Sequence, residues 1–221
     1  EFVSLGVDPA LAWLPPALTR NLIVALDPFR SVAVAGPFLQ EPIAAAAAGA
    51  NGFILVGDVR TDSAGVHVTL RLLEGWAGVL AWATDLSFQL SADGSLPAGG
   101  PPELARVADA LADETGVIAC QRMHATAGQL PTTLSVYEAL LACWRFLLTG
   151  SPPDMDRGCQ SASAAADRSP ESPTAVSHAA WMQLARYLTD PDPRQRPPQQ
   201  ALASLERALS LAPADPWVLL H

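Results

Sequence analysis

The sequence predicts an α+β protein: a mixed sheet with an antiparallel three-strand meander and flanking helices, followed by an all-α region of helical hairpins. Residues 52–90 alternate apolar with polar side chains in three runs separated by short Gly-containing turns, which is the pattern of half-buried strands. After about residue 130 this alternation stops, and apolar residues recur at helical spacing instead. We therefore expect two domains, residues 1–130 and residues 131–221.

The meander shows which face of the sheet should be buried. On its middle run, the apolar positions of one side are Val66, Val68, Leu70 and Leu72. The polar positions of the other side are His67, Thr69 and Arg71. On the next run, the apolar positions are Leu80, Trp82, Leu86 and Phe88. Side chains of a strand alternate between faces, so we expect one buried core face and one solvent-exposed face.

Further elements surround the meander. Apolar residues at helical spacing predict a first helix over residues 18–29, and a short β-branched run predicts a strand at residues 31–35. An Ala-rich stretch at residues 42–48 favours a second helix by propensity. After a Gly/Pro-rich loop, the apolar positions of residues 104–118 predict a third helix.

Charge and composition narrow the function classes. The 221 residues carry a net charge of -9, and all 13 basic residues are arginine. Such an acidic balance repels a phosphate backbone, so we expect no direct binding of nucleic acid. The apolar share of 50% is ample for a buried core, whereas no apolar run reaches the ~20 residues of a membrane helix.

The region after residue 130 predicts four helices that form hairpins. Apolar residues at helical spacing mark them at residues 134–149, 155–168, 175–188 and 199–212. Small residues that would allow close helix packing lie at Ala162, Ala165, Ala166, Ala201 and Ala208. The second and fourth helices end alike, since the prolines at 170 and 173 match those at 213 and 216. A Pro-rich insert at residues 190–198 separates the hairpins.

Three motifs and the repeated helix endings carry a family resemblance. Residues 17–23 (ALTRNLI), 56–60 (VGDVR) and 80–85 (LAWATD) resemble, in order and spacing, the TolB amino-terminal-like domain of bacterial signalling proteins. Residues 201–218 (ALASLERALSLAPADPWV) look like the second helix and exit turn of a tetratricopeptide (TPR) repeat, whose period is about 34 residues. The hairpins depart from that repeat because they lack the usual Gly and Tyr of the first helix.

The resemblance implies an architecture and a role. It implies a first strand around residues 2–5 and a tetratricopeptide-like array that continues beyond His221. In the family, such segments accompany class III adenylate cyclases and winged-helix transcriptional regulators, where they sense or scaffold rather than catalyse. We therefore expect a non-catalytic sensory or protein-interaction segment that biases an output domain, in the bacterial cytoplasm or in the periplasm.

Motifs for catalysis, metals and cofactors are missing from the sequence. No GxSxG, GxxxxGK[ST] or GxGxxG pattern occurs. Cys120 and His124 are spaced i,i+4 and offer two metal ligands, but no third ligand follows at a matching spacing. We therefore expect no catalytic residue, no metal and no cofactor.

Aromatic and basic side chains of the helical region are the candidate partner-binding residues. They are Arg145, His178, Arg186, Trp144 and Trp181. Large aromatics mostly fill hairpin cores, but a helical-repeat surface also uses them, together with arginine, to anchor an extended peptide or a partner helix. We expect a protein or peptide partner, and a small-molecule ligand stays open.

Two other function classes stay open. One is an enzyme with a site between the two domains that uses Asp58, Arg60 or His67. A deep polar pocket with converging titratable groups would favour that class. The other is an oligomerisation module, in which the partner is a second copy of the chain.

Overall fold

The computed structural model describes residues 2–4, 8–29, 32, 34, 52–75, 78–189 and 199–219. The chain divides into two units, Glu1–Gln121 and Arg122–His221, which we call the sheet unit and the helical unit. The fold class is α+β, with a sheet and flanking helices in the first unit and several helices in the second. None of the helices in the described part of the chain combines the length and the apolarity that a membrane crossing requires.

The sheet unit contains a mixed four-stranded sheet. Its elements are β1 (Phe2–Ser4), α1 (Leu14–Leu26), β2 (Phe53–Asp62), β3 (Gly65–Glu74), β4 (Val79–Phe88) and α2 (Pro102–Ala112). The strands lie in the order β1-β2-β3-β4. β1 is parallel to β2, whereas β2, β3 and β4 form an antiparallel meander. The predicted mixed sheet and three-strand meander are therefore confirmed.

One face of the sheet forms the core of this unit. The apolar residues of β3 that share this face, Val66, Val68, Leu70 and Leu72, are at most 2% exposed. They belong to one cluster with the leucines of α1 and the apolar residues of α2. Removing apolar area from water in this way is the main favourable term in folding. The predicted core face of β3 is confirmed.

A β-bulge makes the prediction for β4 wrong at Leu80. Leu72 pairs with Trp82 and Leu73 pairs with Leu80, so Ala81 is an extra residue in β4. Neighbouring residues of β3 point to opposite faces, and the bulge therefore places Leu80 beside Leu73, away from the core. Leu80 is 57% exposed, whereas Trp82 keeps the predicted side and packs against the core.

The single helix predicted over residues 104–118 is also wrong, because two helices share that stretch. α2 ends before Asp113, where ψ is 157°, and α3 spans Val117–Thr126. A Cβ atom at Gly116 would lie 2.9 Å from the carbonyl oxygen of Ala110, so the tight connection needs a residue without a side chain. The apolar spacing continues across this turn, and the sequence pattern therefore does not show the break.

Two other sequence predictions concern the stretch between α1 and β2. The helix predicted at residues 42–48 lies outside the described residues. Most of the strand predicted at residues 31–35 lies outside them as well. Val32 and Val34 are described, and neither belongs to a strand.

The helical unit consists of consecutive helices that pack against their neighbours. Its main elements are α4 (Val136–Thr149), α5 (Pro152–Arg168), α6 (Pro173–Thr189), α7 (Gln199–Leu211) and α8 (Pro216–Leu219). The four predicted helices correspond to α4, α5, α6 and α7, and they are confirmed. Local signals set the ends of α4, since Ser135 accepts a hydrogen bond from the backbone N–H of Glu138 and Gly150 adopts a φ of 63°.

Candidate interaction surface

The helix α7 buries two alanines, Ala201 and Ala208, and exposes two leucines, Leu202 and Leu209. Ala201 and Ala208 are at most 1% exposed, whereas Leu202 and Leu209 are 48% and 44% exposed. Leu205 is half-buried and lies between the two exposed leucines at helical spacing. The three leucines therefore follow one side of α7, and we call the row Leu202, Leu205 and Leu209 the leucine face.

Small side chains determine how α7 is placed. Ala208 packs in one cluster with Val176 of α6 and Val218 of α8. The burial of Ala201 and Ala208 confirms the prediction that these alanines allow close helix packing. Because the alanine row faces the neighbouring helices, the leucines on the adjacent row stay at the surface.

An acidic side chain borders the leucine face. Glu206 is exposed and lies four positions after Leu202, so both occupy the same side of α7. None of the ion pairs found among the described residues includes Glu206. Its neighbour Arg207 donates to the carbonyl oxygen of Pro170 at 3.2 Å and lies 3.8 Å from the carboxylate of Glu171. The surface therefore combines an apolar row with a negative border.

The two predicted tryptophans lie within or beside the helix packing. Trp181 is half-buried and packs against the cluster that includes Phe146, Met155 and Met182. Trp144 is also half-buried, on α4. Aromatic side chains bury large apolar areas, so Trp181 contributes to holding α6 against its neighbours.

His178, which the sequence analysis places at a surface, lies in the interior. It is 3% exposed, and its Nδ1 donates to the carbonyl oxygen of Thr174 at 2.7 Å. Burial lowers the pKa of His178, and the hydrogen bond to Thr174 and the charge of Asp215 oppose that shift. The folded chain therefore favours the neutral imidazole, and this side chain is not exposed for binding another protein.

Arg145 stabilises the turn between α4 and α5. Its Nε donates to Oδ1 of Asp154 at 2.9 Å. The other carboxylate oxygen accepts from the hydroxyls of Ser151 and Thr149, each at 2.7 Å. These hydroxyl groups, followed by Arg145, lower the pKa of Asp154. The guanidinium of Arg145 thus has a partner within its own hairpin.

Arg186 of α6 pairs with Asp156 of α5 at the surface, where the two side chains are 56% and 55% exposed. An exposed ion pair contributes about 1 kcal/mol or less, so Arg186 can exchange its partner at small cost. The predicted set therefore falls into three environments. They are the interior for His178, half-buried positions for Trp144 and Trp181, and ion pairs for Arg145 and Arg186.

On the solvent-exposed face of the sheet, side chains of neighbouring strands form hydrogen bonds with each other. Thr69 donates to the carboxylate of Asp85 at 2.6 Å, and Arg71 donates to Asp58. Cross-strand pairs of this kind contribute roughly 0.2–1 kcal/mol each. Arg60, another residue of the enzyme alternative, is exposed. Asp58 thus serves as the partner of Arg71 and contributes to strand pairing.

His67, the third residue of the enzyme alternative, also makes contacts on this face. Its Nδ1 lies 3.0 Å from Oγ of Ser87 on β4. Its Nε2 lies 3.2 Å from Oδ1 of Asp62 at the end of β2. The His67 side chain is 40% exposed, so these contacts belong to a solvated sheet face.

The pair Cys120 and His124 remains a two-residue motif on α3. The Cys120 thiol donates to the carbonyl oxygen of Thr115 at 3.4 Å. Among the residues that the structure describes, no group of three or more His, Cys, Asp or Glu side chains could hold a metal ion.

The leucine face is absent from the residues that the sequence analysis selects. Hydropathy alone favours burying leucines before alanines. The sequence signal that identifies the leucine face is the presence of two apolar rows on α7, one of alanines and one of leucines. Once Ala201 and Ala208 are assigned to helix packing, Leu202 and Leu209 must point in another direction.

Comparison with known proteins adds no assignment to these observations. No protein-family model matches the chain, and no curated protein matches it. A proposal about function is supported by two other observations. One is the resemblance to the TolB amino-terminal-like domain and to tetratricopeptide repeats, and the other is the exposed surface of α7.

Proposed function

We propose that the chain is a non-catalytic interaction segment of a larger bacterial signalling or transcriptional regulatory protein, and that its helical unit binds a protein or peptide partner through the leucine face. The observation that carries the proposal is that α7 buries the small side chains of Ala201 and Ala208 while the larger side chains of Leu202 and Leu209 are exposed. The family resemblance supports the signalling context and the effect on an output domain.

The exposed leucines supply binding energy that folding of the helical unit leaves unused. Burying a leucine side chain fully contributes about 1.5–3 kcal/mol. Leu202 and Leu209 are each nearly half exposed, and Leu205 between them is half-buried. A row of this kind on a helix matches the surface that an amphipathic partner helix covers with its own apolar side.

Charge indicates which partner fits best. Glu206 borders the leucine face, and the whole chain has a net charge of -9. Complementary charges steer association and select among partners. We therefore expect an amphipathic helix with leucine-like residues on one side and Lys or Arg beside them. The same net charge disfavours a second copy of the chain as the partner.

A peptide selection tests this function. Helical peptides displayed on phage are selected against the immobilised chain, and affinities are measured by fluorescence anisotropy. Selected peptides should carry apolar residues at i, i+3 and i+7 and be basic. The double variant L202Q/L209Q should bind them at least about tenfold more weakly, a loss of roughly 1.4 kcal/mol or more.

The matched control changes two leucines elsewhere on the helical unit. Leu147 and Leu148 on α4 are 48% and 57% exposed, so L147Q/L148Q alters a similar apolar area and should leave binding unchanged. Equal affinity for wild type and L202Q/L209Q would refute the leucine face as the binding surface. Sedimentation that shows dimers dependent on Leu202 and Leu209 would replace the proposal with the oligomerisation alternative.

A further inference from the structure

Four sulfur-containing side chains from three helices converge inside the helical unit. Cys143 of α4, Met155 and Cys159 of α5, and Met182 of α6 share one buried cluster. The Sγ atom of Cys159 lies 3.9 Å from Sδ of Met155 and 3.6 Å from the carbonyl oxygen of Met182. All four residues are at most 9% exposed.

Gly158 makes this convergence sterically feasible. The Sγ atom of Cys143 lies 3.9 Å from the carbonyl oxygen of Gly158. A Cβ atom on Gly158 would lie 2.7 Å from the methyl carbon of Met182 and 3.5 Å from Cα of Cys143. Because Gly158 has no side chain, both α4 and the side chain of Met182 can approach α5 closely at this position.

The donor set has a specific metal preference. Thiolate and thioether sulfur are soft ligands that suit copper(I), and thioether sulfur is not among the cysteine, histidine and carboxylate ligands of zinc sites. Two sulfurs that each lie about 2.3 Å from a shared ion at a tetrahedral angle are about 3.8 Å apart. The distance of 3.9 Å between Cys159 Sγ and Met155 Sδ fits that geometry.

We propose that Cys143, Met155, Cys159 and Met182 form a binding site for one copper(I) ion. The metal arrives as copper(I), so no electron transfer is needed. Each thiol loses its proton to solvent as its Cu–S bond forms, and the two thioethers bind through their lone pairs. A site of two thiolates and one copper(I) carries a net charge of -1.

Arg186 is placed to compensate that charge. Arg186 lies close enough to Cys159 for its positive charge to act on the sulfur. Arg186 pairs with Asp156 at the surface, and Cys159 is the most exposed of the four sulfur-containing residues, at 9%. Cys143 lies deeper, at 1% exposed.

The test is an anaerobic titration of the reduced 221-residue chain with copper(I) against bicinchoninate, a chromogenic competitor. We expect the chain to withdraw one copper(I) from the competitor and to show only sulfur neighbours in its X-ray absorption spectrum. Cys159→Ser and Met155→Leu should each lower the affinity by about tenfold or more. Circular dichroism checks that each variant remains helical.

Matched controls come from α3, outside the cluster. Cys120→Ser and Met123→Leu make the same chemical changes and should leave copper(I) binding intact. The proposal is overturned if the double variant C143S/C159S withdraws as much copper(I) as wild type. It is equally overturned if the wild-type chain fails to compete, which would assign the four sulfurs to core packing only. Peptide binding to the leucine face is measured independently of either result.

Discussion

The sheet unit and the helices α5, α6 and α7 of the helical unit bury their apolar residues in different ways. The sheet unit fills its core with large side chains, including Leu14, Leu18 and Leu70, which are fully buried. The helices α5, α6 and α7 bury alanine, glycine, serine, cysteine and methionine together with Val176 and His178, and their buried residues include no leucine. Leu14, Leu18 and Leu70 thus contribute to the folding of the sheet unit, whereas Leu202 and Leu209 of α7 stay exposed.

This difference indicates where function should be sought. A strand pair needs the side chains of one face to fill the space under its helices, so large residues are drawn inward. A helix pair packs closest where its contact residues are small, and large residues can then remain outside. The exposure of Leu202 and Leu209 therefore accompanies the close packing of Ala201 and Ala208.

The largest expected effect tests the core of the sheet unit. Leu70→Ala should lower the free energy of unfolding by about 3 kcal/mol, because it removes a fully buried side chain and leaves a cavity. Chemical denaturation followed by circular dichroism measures this loss. Leu80→Ala, at the 57% exposed position created by the bulge, should change stability by about 0.5 kcal/mol or less. A similar loss at both positions would contradict the assignment of faces.

The next prediction places a large side chain at a buried alanine position of α7. Ala208→Leu should destabilise the chain by about 2 kcal/mol, because the contact with Val176 and Val218 has no room for a larger side chain. The control is Ala203→Leu on the exposed side of the same helix. If both leucines are tolerated equally, small residues are not required at the α7 contact.

A smaller effect concerns the start of α4. Ser135→Ala should cost about 1 kcal/mol, because Ser135 and Glu138 form a reciprocal capping box. Thermal unfolding measures the loss. Ser163→Ala in the interior of α5 serves as the matched control and should leave the melting temperature close to wild type. Equal shifts for the two variants would argue against the cap.

The last prediction concerns pH. Burial lowers the pKa of His178 below its ordinary value of 6.5, so the unfolded chain takes up a proton before the folded chain does. The stability that neutral His178 contributes is therefore complete above about pH 6.5 and is lost as the pH falls below that value. Denaturation between pH 7.5 and pH 5 should show this decline. His178→Asn should reduce the slope, and an unchanged slope would assign it to other groups.

The sequence predicts elements better than it predicts their partners. The alternation in β3 and the helical spacing of α4 through α7 are local patterns, and the structure confirms both. The bulge at Ala81 and the break at Gly116 depend on backbone pairing and close approach, which a hydropathy pattern does not record. His178 and Arg145 show the same limit, because their surroundings come from residues of other segments.

The sequence by itself determines which face of β3 is core, where the helices of the second unit lie, and that Ala201 and Ala208 allow close packing. These properties follow from the periods of strands and helices, which depend on neighbouring residues alone. Only the tertiary structure decides that Leu202 and Leu209 stay at the surface and that four sulfur-containing side chains from α4, α5 and α6 share one buried cluster. Each outcome depends on how closely separate helices approach, and that distance is set by side chains far apart in the chain.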